Sequence, residues 1–479
     1  MKKTTIVLLS ILIATIFTFN TINITAYNQE KKDSTLINSE PWVQEVGNTN
    51  GNLASGFGTK SNMATRGMEI YNNELYVGTQ NFRLNFLNFL NIKPFVRLAM
   101  FSYKVFDFLK VSTFLPYLVN YVVPFHGLLC DGCELWKYND TTDNWTPLVS
   151  DKEGAILSAG FGNSNFATAV IKEFKGGLYI GTAASSFTGC EIWRYNGEEL
   201  ELVVSKGFGN THNSGAWCIE VYQDQLYIGT MNWKKGCQIY RTSDGDNWTK
   251  MNIPGGDGFG NRTNVYAWDM GLYNNSLFVG TCNLDPHGAC QLWRYNGTNW
   301  RKINLPGGDG FGEHANYGIR NIVEYQDKMY IGTGTSFLEK NHGGELWAYD
   351  KNTDNWECLI GEQGIIKDGF NNKNNKYIWS MKNISDGKLW IGTLNIEPFT
   401  KKGPLNSQGC EIYSFNGTTF TQHLGNHTGN GGFDNPFNFG ARSMIEYPID
   451  TGNIWVGTFT GDVKDFKEFY GCELWHTKN

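Results

Sequence analysis

Three arginines and three tryptophans in this chain share one position of an internal repeat. Arg66, Trp217, Trp268, Arg320, Trp379 and Arg442 each stand four residues after a recurring Asn, and Ala169 takes the same place in the remaining unit. Guanidinium groups and indole faces together suit a sugar, by stacking, or an anion, by paired hydrogen bonds to a carboxylate. These six are the predicted ligand-binding residues, near the mouth of a central channel. The alternative for the same residues is packing between units, with ion pairs to a repeated glutamate.

The repeat that positions them is easily traced. A Gly-Phe step recurs at Phe57, Phe161, Phe208, Phe259, Phe311, Phe370 and Phe433, followed by Asn62, Asn165, Asn213, Asn264, Asn316, Asn375 and Asn438. Each unit then carries an apolar run closed by Gly-Thr, as at Gly280-Thr281, and a third run of the Gly-Cys-Glu-Leu-Trp kind. In the fullest copy Asn296-Gly297 separates the third run from Asn299-Trp300-Arg301-Lys302-Ile303, a strong hairpin signal. Four short strands repeated at roughly 40–50 residues predict an all-β, seven-bladed β-propeller over residues 42–479. The last unit stops after its third strand, and Trp42-Val43-Gln44-Glu45-Val46 reads as an orphan fourth strand. The N-terminal strand is therefore expected to close the last blade.

Several stretches resemble known repeats. Ala348-Tyr349-Asp350-Lys351-Asn352-Thr353-Asp354-Asn355-Trp356 looks like the end of a kelch repeat. Arg241-Thr242-Ser243-Asp244-Gly245-Asp246-Asn247-Trp248 resembles the Asp-box hairpin of sialidase-like propellers, and the stretch from Ser385 to Thr393 resembles regulator-type propeller repeats. The resemblance implies the fold and leaves function open. It does give the three arginines a parallel, since sialidase-like enzymes hold a substrate carboxylate with three.

Other side chains have quieter readings. Six cysteines (Cys133, Cys190, Cys237, Cys290, Cys410, Cys472) occupy one repeat position where the fifth unit has Gly344, which asks for small size rather than sulfur chemistry. Disulfides between Cys130 and Cys133, or Cys282 and Cys290, stay open on spacing. The acid or amide after that position (Glu134, Glu191, Gln238, Gln291, Glu345, Glu411, Glu473) should serve as a hydrogen-bonding group, with neighbouring backbone or the repeated Thr as partner. Asp257, Asp309 and Asp368 precede three of the Gly-Phe steps and read as loop acids rather than a cation site. No metal and no cofactor is predicted: nucleotide-binding loops, zinc motifs and nucleophile elbows are absent at useful positions.

Residues 82–129, between the second and third strands of the first unit, differ from everything else. They are dense in Phe, Leu, Val and Tyr, and set Arg83, Lys93, Arg97, Lys104 and Lys110 against Asp107 alone. Phe95, Arg97, Phe101, Lys104 and Phe108 fit a helix with a wide apolar face and a narrow cationic stripe. This helical insertion is expected to be a lid on the propeller, an anchor to an anionic membrane surface, or a protein-partner site. Residues 1–26, with Lys2, Lys3 and an apolar run, read as a signal peptide or an uncleaved anchor. A formal charge of −6 argues against nucleic acid. The sequence therefore predicts an exported, extracellular or cell-surface scaffold that binds a glycan, an anionic ligand or a protein partner. A glycoside hydrolase or lyase is the alternative.

Overall fold

The computed structural model describes residues 42–47, 52–81, 130–184, 187–337, 339–397, 408–425, 431–461 and 470–478. Each unit folds as an antiparallel meander. In the fourth, strand Asn264–Tyr273 pairs with Ser276–Asn283, which pairs with Leu292–Tyr295, which pairs with Trp300–Lys302. Asn274 and Asn275 make the first turn with φ of 45° and 50°, the left-handed pair that matches strand twist.

The expected seven-bladed propeller does not hold as drawn. The second strand of each unit also bridges the first strand of the next: Gln80↔Ala167, Ala183↔Gly215, Met231↔Tyr266, Cys282↔Gly318, Gly334↔Tyr377, Leu394↔Gly440 and Phe459↔Ala64. The described strands thus form one 28-stranded sheet, in which 14 inner strands close into a barrel and 14 lie outside it. The cause is steric. Gly or Ala stands on at least one side of six of these seven bridges, and small residues let backbones of adjacent units approach. The outline is propeller-like, but separate blades are not its hydrogen-bonding units. The predicted helical insertion is not supported either: helical segments among the described residues are single turns such as Asp257–Gly260. Residues 82–129 and 1–26 lie outside the described residues. Among those described, no helix is long and apolar enough to cross a membrane. Strand Trp42–Val46 pairs antiparallel with Leu474–Thr477, so the first described strand completes the last unit.

The Gly-Phe step clips units together. Gly258 and Phe259 both adopt positive φ (66° and 55°), and all seven repeat phenylalanines share this left-handed conformation. For a bulky residue that is strained, so packing must hold it there. Phe259 stacks on Trp293 at 4.6 Å and meets Trp300 edge-on at 5.3 Å. Phe311 does the same with Trp347 and Trp356. Meanwhile the Gly258 N–H donates to the Cys237 carbonyl of the preceding unit at 2.8 Å. The small repeat position follows from the same closeness: the next unit's backbone lies against it, and a Cβ on Gly344 would stand 2.8 Å from the Ile378 nitrogen of the next innermost strand. Cys133, Cys282 and Cys290, candidates for disulfides, are free thiols, and burial pushes the Cys133, Cys190 and Cys237 thiols up to about 12.

The third-strand acids are fully engaged, though by partners the sequence did not suggest. The repeated Asn donates to each of six of them, as Asn438 Nδ2 does to Glu473 Oε2 at 2.7 Å. The aromatic side chain two residues on donates as well, as Trp475 Nε1 does at 2.9 Å. The repeated Thr instead accepts the acid's backbone N–H, as in Glu473 to Thr458 at 2.8 Å.

Candidate functional site

The innermost strand of every unit contains a β-bulge, and the predicted site residue sits in it. Register slips between Ala267 and Asp269, Ile319 and Asn321, Ile378 and Ser380, Ala441 and Ser443, Ala216 and Cys218, Thr168 and Val170, and Thr65 and Met68. The skipped residue of the first four is Trp268, Arg320, Trp379 and Arg442; Trp217 and Ala169 follow suit, and Arg66 lies in the widest slip. A bulge leaves its residue outside the ladder and re-aims the side chain. Here all seven turn to the axis and line a central cavity of about 220 Å³.

Within it the guanidiniums lie on indoles. Arg66 covers Trp217 at 4.3 Å, Arg320 covers Trp268 at 4.5 Å, and Arg442 covers Trp379 at 5.0 Å. Arg320 also approaches Tyr377 and Trp379, each at 5.9 Å. The expected alternative, ion pairs to the repeated glutamates, does not occur: among the described residues none of the three arginines forms an ion pair, and those acids bond elsewhere. Arg66 and Arg320 are buried at 8% and 7% exposure, yet their Nε–H groups have no acceptor among the described residues. Among the described residues Arg66 reaches only Gln80 Oε1, at 3.4 Å. Burial and the Arg320 charge hold Arg66 down at about 9. Burial lowers Arg320, and burial with the Arg66 and Arg320 charges lowers Arg442 further.

Tyrosines close one side of this layer. Tyr266, Tyr317 and Tyr377 stand two residues after the repeated Asn or next to that place, and the Tyr317 and Tyr377 hydroxyls bond each other. Phe337, half exposed, stacks on Tyr377 at 5.3 Å. On the other side come Met68, Ile171, Ile219, Met381 and Met444, then a charged layer in which Lys172 pairs with Glu220 at 3.0 Å.

No protein-family model matches the chain, and no curated protein matches it. Several solved structures are similar. The GH74 xyloglucanase from Xanthomonas campestris is 12% identical with a TM-score of 0.49, covering 88% of this chain and 53% of that one. The chain therefore spans about half the length of that enzyme. The β-propeller domain of the Trilobed protease from Pyrococcus furiosus is 8% identical, covering 87% of this chain and 94% of that one at a TM-score of 0.40. A lectin in complex with alpha methyl fucoside is 11% identical, covering 76% and 96% at a TM-score of 0.37. Likenesses this distant carry no argument about function.

The structure thus brings Arg66, Trp217, Trp268, Arg320, Trp379 and Arg442 around one cavity. Phe95, Arg97, Phe101, Lys104 and Phe108 lie outside the described residues. Asp257 and Asp309 are held locally, each by a lysine (Lys250 at 2.6 Å, Lys302 at 2.8 Å) and by the amide of Gln238 or Gln291. Among the described residues no cluster of His, Cys, Asp and Glu is arranged to hold a metal. Sequence reasoning missed Asp269, Asn321, Ser380 and Ser443, which line the cavity beside the six. Strand alternation sends consecutive residues to opposite faces, so only the bulge admits both.

Proposed function

We propose that the protein is an exported or cell-surface binding scaffold whose central cavity receives the carboxylate of an acidic glycan. The observation that carries this reading is three guanidiniums gathered in one cavity with two buried N–H groups unpaired. Unpaired buried donors are costly, and an anion is the ligand that would satisfy them. The indoles behind them offer faces on which a sugar ring can stack. Binding is favoured over cleavage because glycoside hydrolysis commonly needs two carboxyl groups flanking the bond. Among the described residues the cavity lining has one, Asp269. Export rests on residues 1–26, and attachment to an anionic membrane on residues 82–129, both as sequence expectations.

Ala169 supplies the decisive variant. Three units already carry Trp at this position, so Ala169→Trp is compatible with the repeat and would fill the cavity. Profiling against acidic and neutral glycans should show preference for the acids in the parent and loss of at least tenfold in affinity in Ala169→Trp. Equal binding of acidic and neutral glycans, or undiminished binding by Ala169→Trp, would sink the reading.

A further inference from the structure

Asp269 is the one carboxyl among the described residues lining the cavity, and recognition by the arginines does not use it. Its Oδ2 accepts the Ile322 N–H of the neighbouring innermost strand at 2.7 Å, which fixes the carboxyl at the cavity wall. Among the described residues, Arg66 shares its cavity, and the other charged or titratable groups that act on it come from the adjacent strands and from across the cavity. From the strand before come Cys218 and Glu220, the latter paired with Lys172. From the strand after comes Arg320, and from across the cavity Arg442. Burial and Glu220 oppose its charge, while the Ile322 N–H and Arg320 favour it. Burial wins, and Asp269 is pushed up to about 7.

We infer that Asp269 couples ligand capture to protonation: when a ligand carboxylate settles among the guanidiniums, Asp269 takes up one proton from solvent and donates it in a hydrogen bond to that carboxylate. This rests on the reading under Proposed function. Two carboxylates cannot both stay ionised at close range in a buried site. The arriving anion therefore raises the affinity of Asp269 for its proton above that of the empty cavity. The sign follows. Below pH 7 Asp269 is already largely protonated and affinity is flat. Above it, each bound ligand must draw a proton from solution, and affinity falls by up to about tenfold per pH unit.

Isothermal titration with sodium glucuronate at pH 6, 7 and 8, in two buffers of different ionisation heat, counts that proton. The parent is expected to bind about five- to tenfold more weakly at pH 8 than at pH 7, and to take up close to one proton per ligand at pH 8. Asp269→Asn keeps the acceptor for Ile322, and the fifth unit has Asn321 at this repeat position. It should bind equally at all three pH values and take up none. Binding by the parent without pH dependence, or proton uptake that survives in Asp269→Asn, overturns the coupling and leaves the site standing. If glucuronate binds at no pH, the site and the coupling fall together.

Discussion

Two rings of buried polar side chains encircle this molecule, and the fold treats them in opposite ways. In the outer ring every third-strand acid or amide meets side-chain donors: Glu345 accepts from Asn316 at 2.8 Å and Trp347 at 2.9 Å, and its backbone N–H reaches Thr333. In the inner ring Arg66 and Arg320 are equally buried and keep unpaired N–H groups. Both rings repeat at the same period, so repetition does not separate structure from function. What separates them is whether hydrogen-bonding capacity is used up inside the chain. The outer ring holds the units together, and the inner ring keeps its capacity open to something else.

The contrast breaks most visibly if the outer ring is cut. Asn316 donates to Gly310 and Glu345 and accepts from Thr333 and Thr335, so Asn316→Ala should cost about 3–5 kcal/mol, by orphaning several buried groups at once. Denaturant unfolding measures it, and a loss below about 1 kcal/mol would mean that the outer ring does not hold the fold. A smaller effect sharpens the picture. In two units the third-strand residue is Gln, donating to the loop acid of the next unit, Gln238 to Asp257 at 2.7 Å and Gln291 to Asp309 at 2.9 Å. The fifth unit breaks the pattern by setting Glu345 near Asp368, whose Oδ1 has no partner. Burial, with Asp368 adding to it, raises Glu345 to about 7. A carboxyl raised above its unfolded value of 4.5 contributes stability that is full below pH 4.5 and lost as pH rises through about 7. Glu345→Gln should remove that pH dependence and stabilise the protein at pH 8 by about 1–3 kcal/mol, read from unfolding curves at pH 5 and 8. The smallest effect on stability belongs to the inner ring. Arg320→Met removes an unpaired buried charge and should leave stability within about 1 kcal/mol of the parent while abolishing binding of acidic glycans. A large loss of stability there would move Arg320 into the scaffold.

The repeat made much of this legible. Seven copies of one position expose what the position requires, so the small Cys or Gly site and the convergence of Arg66, Arg320 and Arg442 on one axis could be read from residue types alone. The closed 28-stranded sheet could not. Its inter-unit bridges join the residue after Gly-Thr to the residue two after the next repeated Asn, as Cys282 to Gly318, and the residue types at both positions change from unit to unit. Asp269 escaped for a different reason, because a bulge is a backbone slip and alternation assumes none. For the outer acids the expected partners are the neighbouring backbone or the repeated Thr. The Thr takes only their backbone N–H, and the side chains meet the repeated Asn, which lies far away in sequence, as Asn438 does from Glu473, and is joined to them by the folded meander.

The pairing of Trp42–Val46 with Leu474–Thr477 has a mechanical meaning. Its register runs Trp42↔Thr477, Val43↔His476, Gln44↔Trp475, Val46↔Leu474, so both outgoing chain ends leave from the same end of the pair. Tension applied between those ends would peel the clasp one hydrogen bond at a time, the weakest way to load a strand pair. Tension applied between the C-terminal end and a ligand in the cavity would instead enter through Leu474–Thr477, which is also paired with Ile454–Thr460, and would not set the two clasp strands against each other. A molecule tethered by its C-terminal end could bear load at its centre without unzipping the clasp.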